Sequence, residues 1–200
     1  MTRACFVGLV ALMASVAPAQ DTRPGIDVRH YKIEAEINPN TQSIKAVVQV
    51  QFVAVDQGLS SAVFELNNAM NVSQVVDENG TPIPASRNQQ DFTIRVTLPT
   101  ALEKGKASSL TFTYDGAFNG REDASPVYGI KFAAIQNDFA YLMYPARWFP
   151  VNNYTADRYT ADIRVTVPVP FKVVAGGGET AEHISPDRMR YQVSFTQPSF

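Results

Sequence analysis

From Tyr31 onward, apolar and polar residues alternate with a period of two, and no window offers the helical period of an amphipathic helix. Successive side chains of a strand point to opposite faces, so this pattern describes half-buried β-strands. Tyr31, Ile33, Ala35 and Ile37 face one way and Lys32, Glu34 and Glu36 the other. After the turn Asn38-Pro39-Asn40, a long strand places Ile44, Ala46, Val48, Val50, Phe52 and Ala54 on one face. Its other face mixes Gln49 and Gln51 with Val47, Val53 and Val55, which predicts burial on both sides toward the strand's end.

Shorter strands are expected at Val63 to Leu66 and Val72 to Val76, and Asn79-Gly80 supplies a tight turn because both residues tolerate positive φ. Phe92, Ile94, Val96 and Leu98 form a further apolar row closed by Pro99, and after Gly105 comes a strand with Leu110, Phe112 and Tyr114. More strands are expected at Ile130 to Ile135, Phe139 to Tyr144, Ala161 to Val167, Phe171 to Ala175 and Met189 to Thr196. Strands spaced by about 8 to 12 residues with turns between them predict an all-β antiparallel sandwich, one domain with no substantial helix. The stretch Ala117 to Tyr128, rich in Gly, Asp and Glu, is expected to be an exposed loop.

The first residues read as an export signal: Arg3, an uncharged and largely apolar run from Ala4 to Val16, and the small-x-small site Ala17-Pro18-Ala19. At about 13 residues that run is short of the roughly 20 that cross a bilayer. Residues 1–19 are therefore expected to be a signal peptide, 20–27 a short linker and 28–200 the folded domain, periplasmic or extracellular, with no membrane span in the mature chain. The single cysteine, Cys5, falls inside the signal, which leaves the mature chain without a disulfide. With 45% hydrophobic and 10% aromatic residues it has ample material for one core. A net charge of −2 with 17 scattered basic residues excludes the positive stripe that nucleic acid requires.

Catalytic motifs are not found. Zinc needs three or four converging ligands, whereas the two histidines, His30 and His183, lie far apart in sequence. Glu34 and Glu36 alternate with apolar residues and read as a solvated strand face, and Glu122-Asp123 as a loop charge without calcium-loop spacing. Gly176-Gly177-Gly178 opens no helix, so it reads as a hairpin connection, not a phosphate cradle. Asn71-Val72-Ser73 and Asn153-Tyr154-Thr155 match the glycosylation pattern. No residue is assigned a catalytic, cofactor-binding or metal-binding role.

The densest segment runs from Tyr141 to Tyr159 and holds the only tryptophan. Two readings of it stand side by side. In one, Trp148 and Phe149 fill a corner of the core while Arg147 caps carbonyls or pairs with Asp157 or Asp162. In the other, the segment is an interface, because Trp, Tyr and Arg are the residues that anchor protein contacts. Tyr144, Arg147, Trp148, Phe149 and Tyr154 are the candidate anchors under either reading.

Ala146-Arg147-Trp148-Phe149-Pro150, followed by Ala161-Asp162-Ile163-Arg164-Val165-Thr166-Val167-Pro168, resembles a stretch of the aminopeptidase N-like zinc metallopeptidases, the gluzincins. His30-Tyr31, Tyr114-Asp115-Gly116 and Phe195-Thr196-Gln197-Pro198 are further landmarks in matching order, covering residues 27 to 200. The resemblance implies the family's N-terminal saddle-shaped β domain, which packs against a thermolysin-like catalytic domain and walls the substrate site. Zinc is then expected only in that downstream catalytic domain, since the family's Gly-x-Met-Glu-Asn and His-Glu-x-x-His motifs do not occur here. The glutamine that many members place ahead of Ala-Arg has no counterpart in Phe139 to Pro145, and Arg147 to Pro150 is one residue tighter than the family's usual spacing. The implied partners are the catalytic domain and, through it, a peptide substrate. The alternative is a stand-alone extracellular β-sandwich module for binding or structure.

Overall fold

A computed structural model describes residues 25–118, 131–153 and 157–199. The expected signal peptide, most of the expected linker, most of the Gly-rich loop including Glu122-Asp123, Tyr154 and Thr155 of the second glycosylation pattern, and Phe200 lie outside the described residues.

Twelve strands make up the described chain: β1 (Ile26–Asn38), β2 (Ser43–Ala54), β3 (Leu59–Glu65), β4 (Met70–Val76), β5 (Ala85–Asn88), β6 (Thr93–Leu102), β7 (Ala107–Ala117), β8 (Ala133–Ile135), β9 (Ala140–Leu142), β10 (Tyr159–Pro168), β11 (Gly178–Ser185) and β12 (Arg188–Ser199). The helical residues among those described are two 3-10 turns, Pro39–Thr41 and Pro145–Arg147. The fold is all-β, as the alternation predicts. A seven-stranded sheet in the order β11-β12-β10-β1-β2-β7-β4 is accompanied by a three-stranded sheet β3-β6-β5 and the β8-β9 hairpin. Every pairing is antiparallel except β1 with β10, which run parallel.

Register explains the core. Val193, Ile163, Ile33, Val48, Phe112 and Val75 sit opposite one another in turn across β12, β10, β1, β2, β7 and β4. Each is apolar, and all but Ile163 are buried. Period-two alternation on each strand thus sums to one continuous apolar face. The small sheet packs on this face, with Phe64 of β3 edge-on to Phe112 of β7 at 5.1 Å between ring centroids. The opposite face is polar, and Glu34 and Glu36 pair there with Arg164 and Arg188.

Several expectations are corrected. The outer face of β2 is not buried toward its end: Val53 is only half-buried, and Val55 just past the strand is 44% exposed. Pro99 does not close β6. It lies in an irregular stretch where pairing jumps from Ser61–Thr97 to Leu59–Leu102, the kind of bulge at which a missing N–H is tolerated. Phe171 to Ala175 is not a strand but a strap laid over the sheet, and the three glycines are not a hairpin connection. They lead into β11, whose hairpin partner β12 follows the turn at Pro186-Asp187. Strands β5 and β11 lack the apolar alternation that reveals strands in sequence, since both are largely exposed. β1 begins at Ile26, inside the expected linker.

Candidate functional site

Pro145 opens the aromatic segment as a 3-10 turn. Its fixed φ and missing N–H suit a first-turn position. The amides of Trp148 and Phe149 both donate to the Pro145 carbonyl, each at 2.9 Å. The chain then zips onto the end of β3: Glu65 and Val151 exchange two backbone hydrogen bonds of 2.7 and 3.0 Å, the Asn67 amide donates to the Ala146 carbonyl, and the Asn152 side-chain amide donates to the Val63 carbonyl.

This anchoring sends the side chains inward. Trp148, Phe149 and Arg147 are 7%, 4% and 7% exposed. Trp148 meets Phe149 edge-on at 4.7 Å, Phe149 meets Tyr31 at 5.1 Å, and Tyr31 meets Tyr159 at 4.6 Å. Such edge-to-face contacts suit the aromatic quadrupole. The Arg147 guanidinium lies 5.7 Å from the Phe92 ring centre and 6.0 Å from that of Tyr144. The described contacts of Asp157 and Asp162 lie elsewhere: Asp157 accepts from the Val28 amide, and Asp162 accepts from the Ser194 hydroxyl and lies 3.5 Å from His30 Nε2. Tyr144 is half-buried at the edge of the cluster. Burial pushes the hydroxyls of Tyr31 and Tyr114 well above the usual tyrosine range, so both stay protonated.

Beside this cluster the described residues leave a groove over the sheet. The apolar face of β10 and β12, including Ile163, Val165, Val193 and Phe195, is bordered on one side by the β8-β9 hairpin and on the other by the strap from Pro170 to Ala175. Trp148, Phe149 and Tyr159 also line the resulting groove of about 880 Å³. Met143 stays with the hairpin because its amide donates to the Phe132 carbonyl at 2.8 Å, and Phe139 stacks on Tyr141 at 6.3 Å. Asp138 and Lys172 are the charged residues of the lining. Sequence reasoning placed neither Phe139 nor Val174 in a site, and Met143 only as a member of the segment Tyr141 to Tyr159 under its interface reading. Their only signal is that they are apolar, and apolarity does not reveal which residues stay uncovered.

Among the described residues, no group of three or more His, Cys, Asp or Glu is arranged to hold a metal ion. His30 shares a hydrogen bond with the Thr160 hydroxyl, and His183 is exposed on β11. The described residues do not fit a zinc site, so no hydrolytic step is assigned to them. No described helix is long and apolar enough to cross a membrane.

No model of a known protein family and no curated sequence matches the chain. Solved structures do. A point mutant of the M1 zinc metallopeptidase from Deinococcus radiodurans, bound to a Tyr-Ser-Ala substrate, superposes with a TM-score of 0.74 at 24% identity. The match covers 87% of this chain and 40% of that one. The fold is that of M1 zinc metallopeptidases. The Deinococcus radiodurans M1 enzyme without the substitution matches with a TM-score of 0.69 at 22% identity, and a two-domain M1 zinc metallopeptidase bound to L-arginine matches with the same score and identity. The chain spans about 40% of the length of these M1 structures.

Proposed function

We propose that this chain is the N-terminal, non-catalytic β domain of an exported aminopeptidase N-like zinc metallopeptidase, a domain that walls the substrate cleft and packs against the catalytic domain. The observation that carries this reading is the match of 87% of the chain to 40% of M1 enzymes whose structures hold a peptide or an amino acid. The order of sequence landmarks from His30-Tyr31 to Phe195-Thr196-Gln197-Pro198 supports it independently. Zinc in the catalytic domain would polarise the scissile carbonyl and activate water there. This chain's residues would supply a rigid wall, with Trp148 and Phe149 fixed in the core so that the neighbouring hairpin holds its place.

The test compares two purified proteins: residues 1–200 alone, and the product of the whole gene as its source cell makes it. Bound zinc and bestatin-sensitive release of leucine from leucine p-nitroanilide are measured for each. The 200-residue chain is expected to show neither, and the whole product both. Hydrolysis by residues 1–200, or a whole product that neither contains nor copurifies with a zinc peptidase domain, overturns the reading and favours a stand-alone β module.

A further inference from the structure

Of the seven large hydrophobic side chains exposed among the described residues, Val174 (91%), Met143 (70%) and Phe139 (52%) are the most exposed, and the others lie at 41 to 44%. All three line the same groove. Their concentration on one feature is what separates an interaction surface from the scattered apolar exposure of any soluble protein.

We infer that this groove is the seat of an apolar surface of the peptidase's second domain, with Met143 and Phe139 on the hairpin rim and Val174 on the strap rim inserted into it. This rests on the function proposed above and adds the place of docking. Two observations select that occupant. The matched M1 structures are longer than this chain by more than half of their own length, and one is described as having two domains. The exposed residues stand on the two rims, whereas Val165 and Val193 of the floor are already buried, and a broad protein face covers both rims together. Asp138 and Lys172, one on each wall, give a partner charges by which to fix its orientation.

The experiment places a photo-reactive benzoylphenylalanine at Met143 and at Val174 in the gene at its own locus, with whatever coding sequence follows residue 200, and at Gln49 on the opposite sheet face as a control. Because both rim residues are exposed, the replacements should leave the fold intact, which circular dichroism melting checks. Cross-linked peptides are identified by mass spectrometry. Cross-links from Met143 and Val174 to a zinc peptidase domain, at least ten times more abundant than those from Gln49, are the expected result. Cross-links to a second copy of this domain, to lipid or a small molecule, or none above the control, overturn the docking. Zinc content and leucine p-nitroanilide hydrolysis, measured on the same preparations, separate the two failures: an active zinc peptidase without groove cross-links removes the docking site alone, whereas no zinc peptidase at all removes the proposed function as well.

Discussion

The Tyr114 hydroxyl donates a 2.5 Å hydrogen bond to the backbone carbonyl of Trp148, tying β7 of the large sheet to the turn that carries the aromatic cluster. Both residues are buried, so neither group can turn to water. Tyr114→Phe keeps the ring and removes the donor. It is expected to destabilise by about 1 to 3 kcal/mol, the cost of a buried carbonyl left without its partner. Urea unfolding followed by tryptophan fluorescence reads this directly, and an unchanged midpoint would show that the bond contributes nothing.

Truncating the ring on the other side of that bond removes packing instead. Trp148→Ala is expected to cost about 3 to 5 kcal/mol, because it empties volume next to Phe149 in a close-packed cluster. A melting temperature equal to that of the parent would mean that Trp148 acts as a surface anchor.

Neighbouring positions on β1 face opposite environments and should respond accordingly. Ile33 is 1% exposed at the centre of the apolar row, whereas Glu34 beside it is solvent-facing and bonded to Arg164 at 2.6 Å. Ile33→Ala is expected to cost about 2 to 5 kcal/mol. Glu34→Gln is expected to cost at most about 1 kcal/mol, since an exposed ion pair is screened and must order two long side chains. Denaturant midpoints of the two variants measure the contrast, and similar losses would contradict the register.

How far the sequence can be read follows from what alternation reports. It reports burial of every second side chain, so β1, β2, β6, β7, β10 and β12, each with one face on the core, are legible. It does not report hydrogen-bonding partners. Phe171 and Val173 alternate and pack against the core, yet their segment crosses the sheet face as a strap instead of joining its edge. Conversely, β11 is held by its ladder with β12 and buries almost nothing, so its sequence carries no apolar period. The parallel pairing of β1 with β10 joins segments about 130 residues apart, a topological fact that no local pattern encodes. At the site, the density of aromatics marked Trp148 and Phe149. The groove beside them depends on which apolar residues lack a covering layer, and that is decided by tertiary packing.

Gly116 shows why one short landmark, Tyr114-Asp115-Gly116, ends as it does. A Cβ at this position would lie 2.6 Å from the Ala69 carbonyl oxygen and 2.4 Å from Met70 Cε, where β7 passes β4. The methionine tip can move, but the backbone oxygen cannot without disturbing the ladder. Gly116→Ala is expected to destabilise by about 1 to 3 kcal/mol. Gly80→Ala is a control for backbone strain alone, since Gly80 has φ +79° and open space where a Cβ would sit. Thermal unfolding should place Gly116→Ala below Gly80→Ala, and the reverse order would remove the steric explanation.

Asp157 offers a test of electrostatics at the junction of β1 and β10. Its carboxyl is pushed up to about 6, chiefly by burial and secondarily by the Asp27 carboxylate, against the opposing pull of the Val28 amide that it accepts from. Arg29, paired with Asp27 at 2.6 Å, and Arg158 also stand near it. A carboxyl whose folded value lies above its unfolded one is penalised when ionised. Its unfavourable contribution is therefore fully present above about pH 6, shrinks as the pH falls through 6, and vanishes below the ordinary aspartate value near 4. The group is about half exposed, so solvent screening reduces the effect to on the order of 1 kcal/mol. Asp157→Asn removes the charge while keeping an oxygen that can accept from Val28. The variant is expected to be more stable than the parent at pH 7.5, with the difference closing by pH 4. Urea midpoints of parent and variant at matched pH values measure it, and a difference that does not change with pH would show that Asp157 titrates like any surface aspartate.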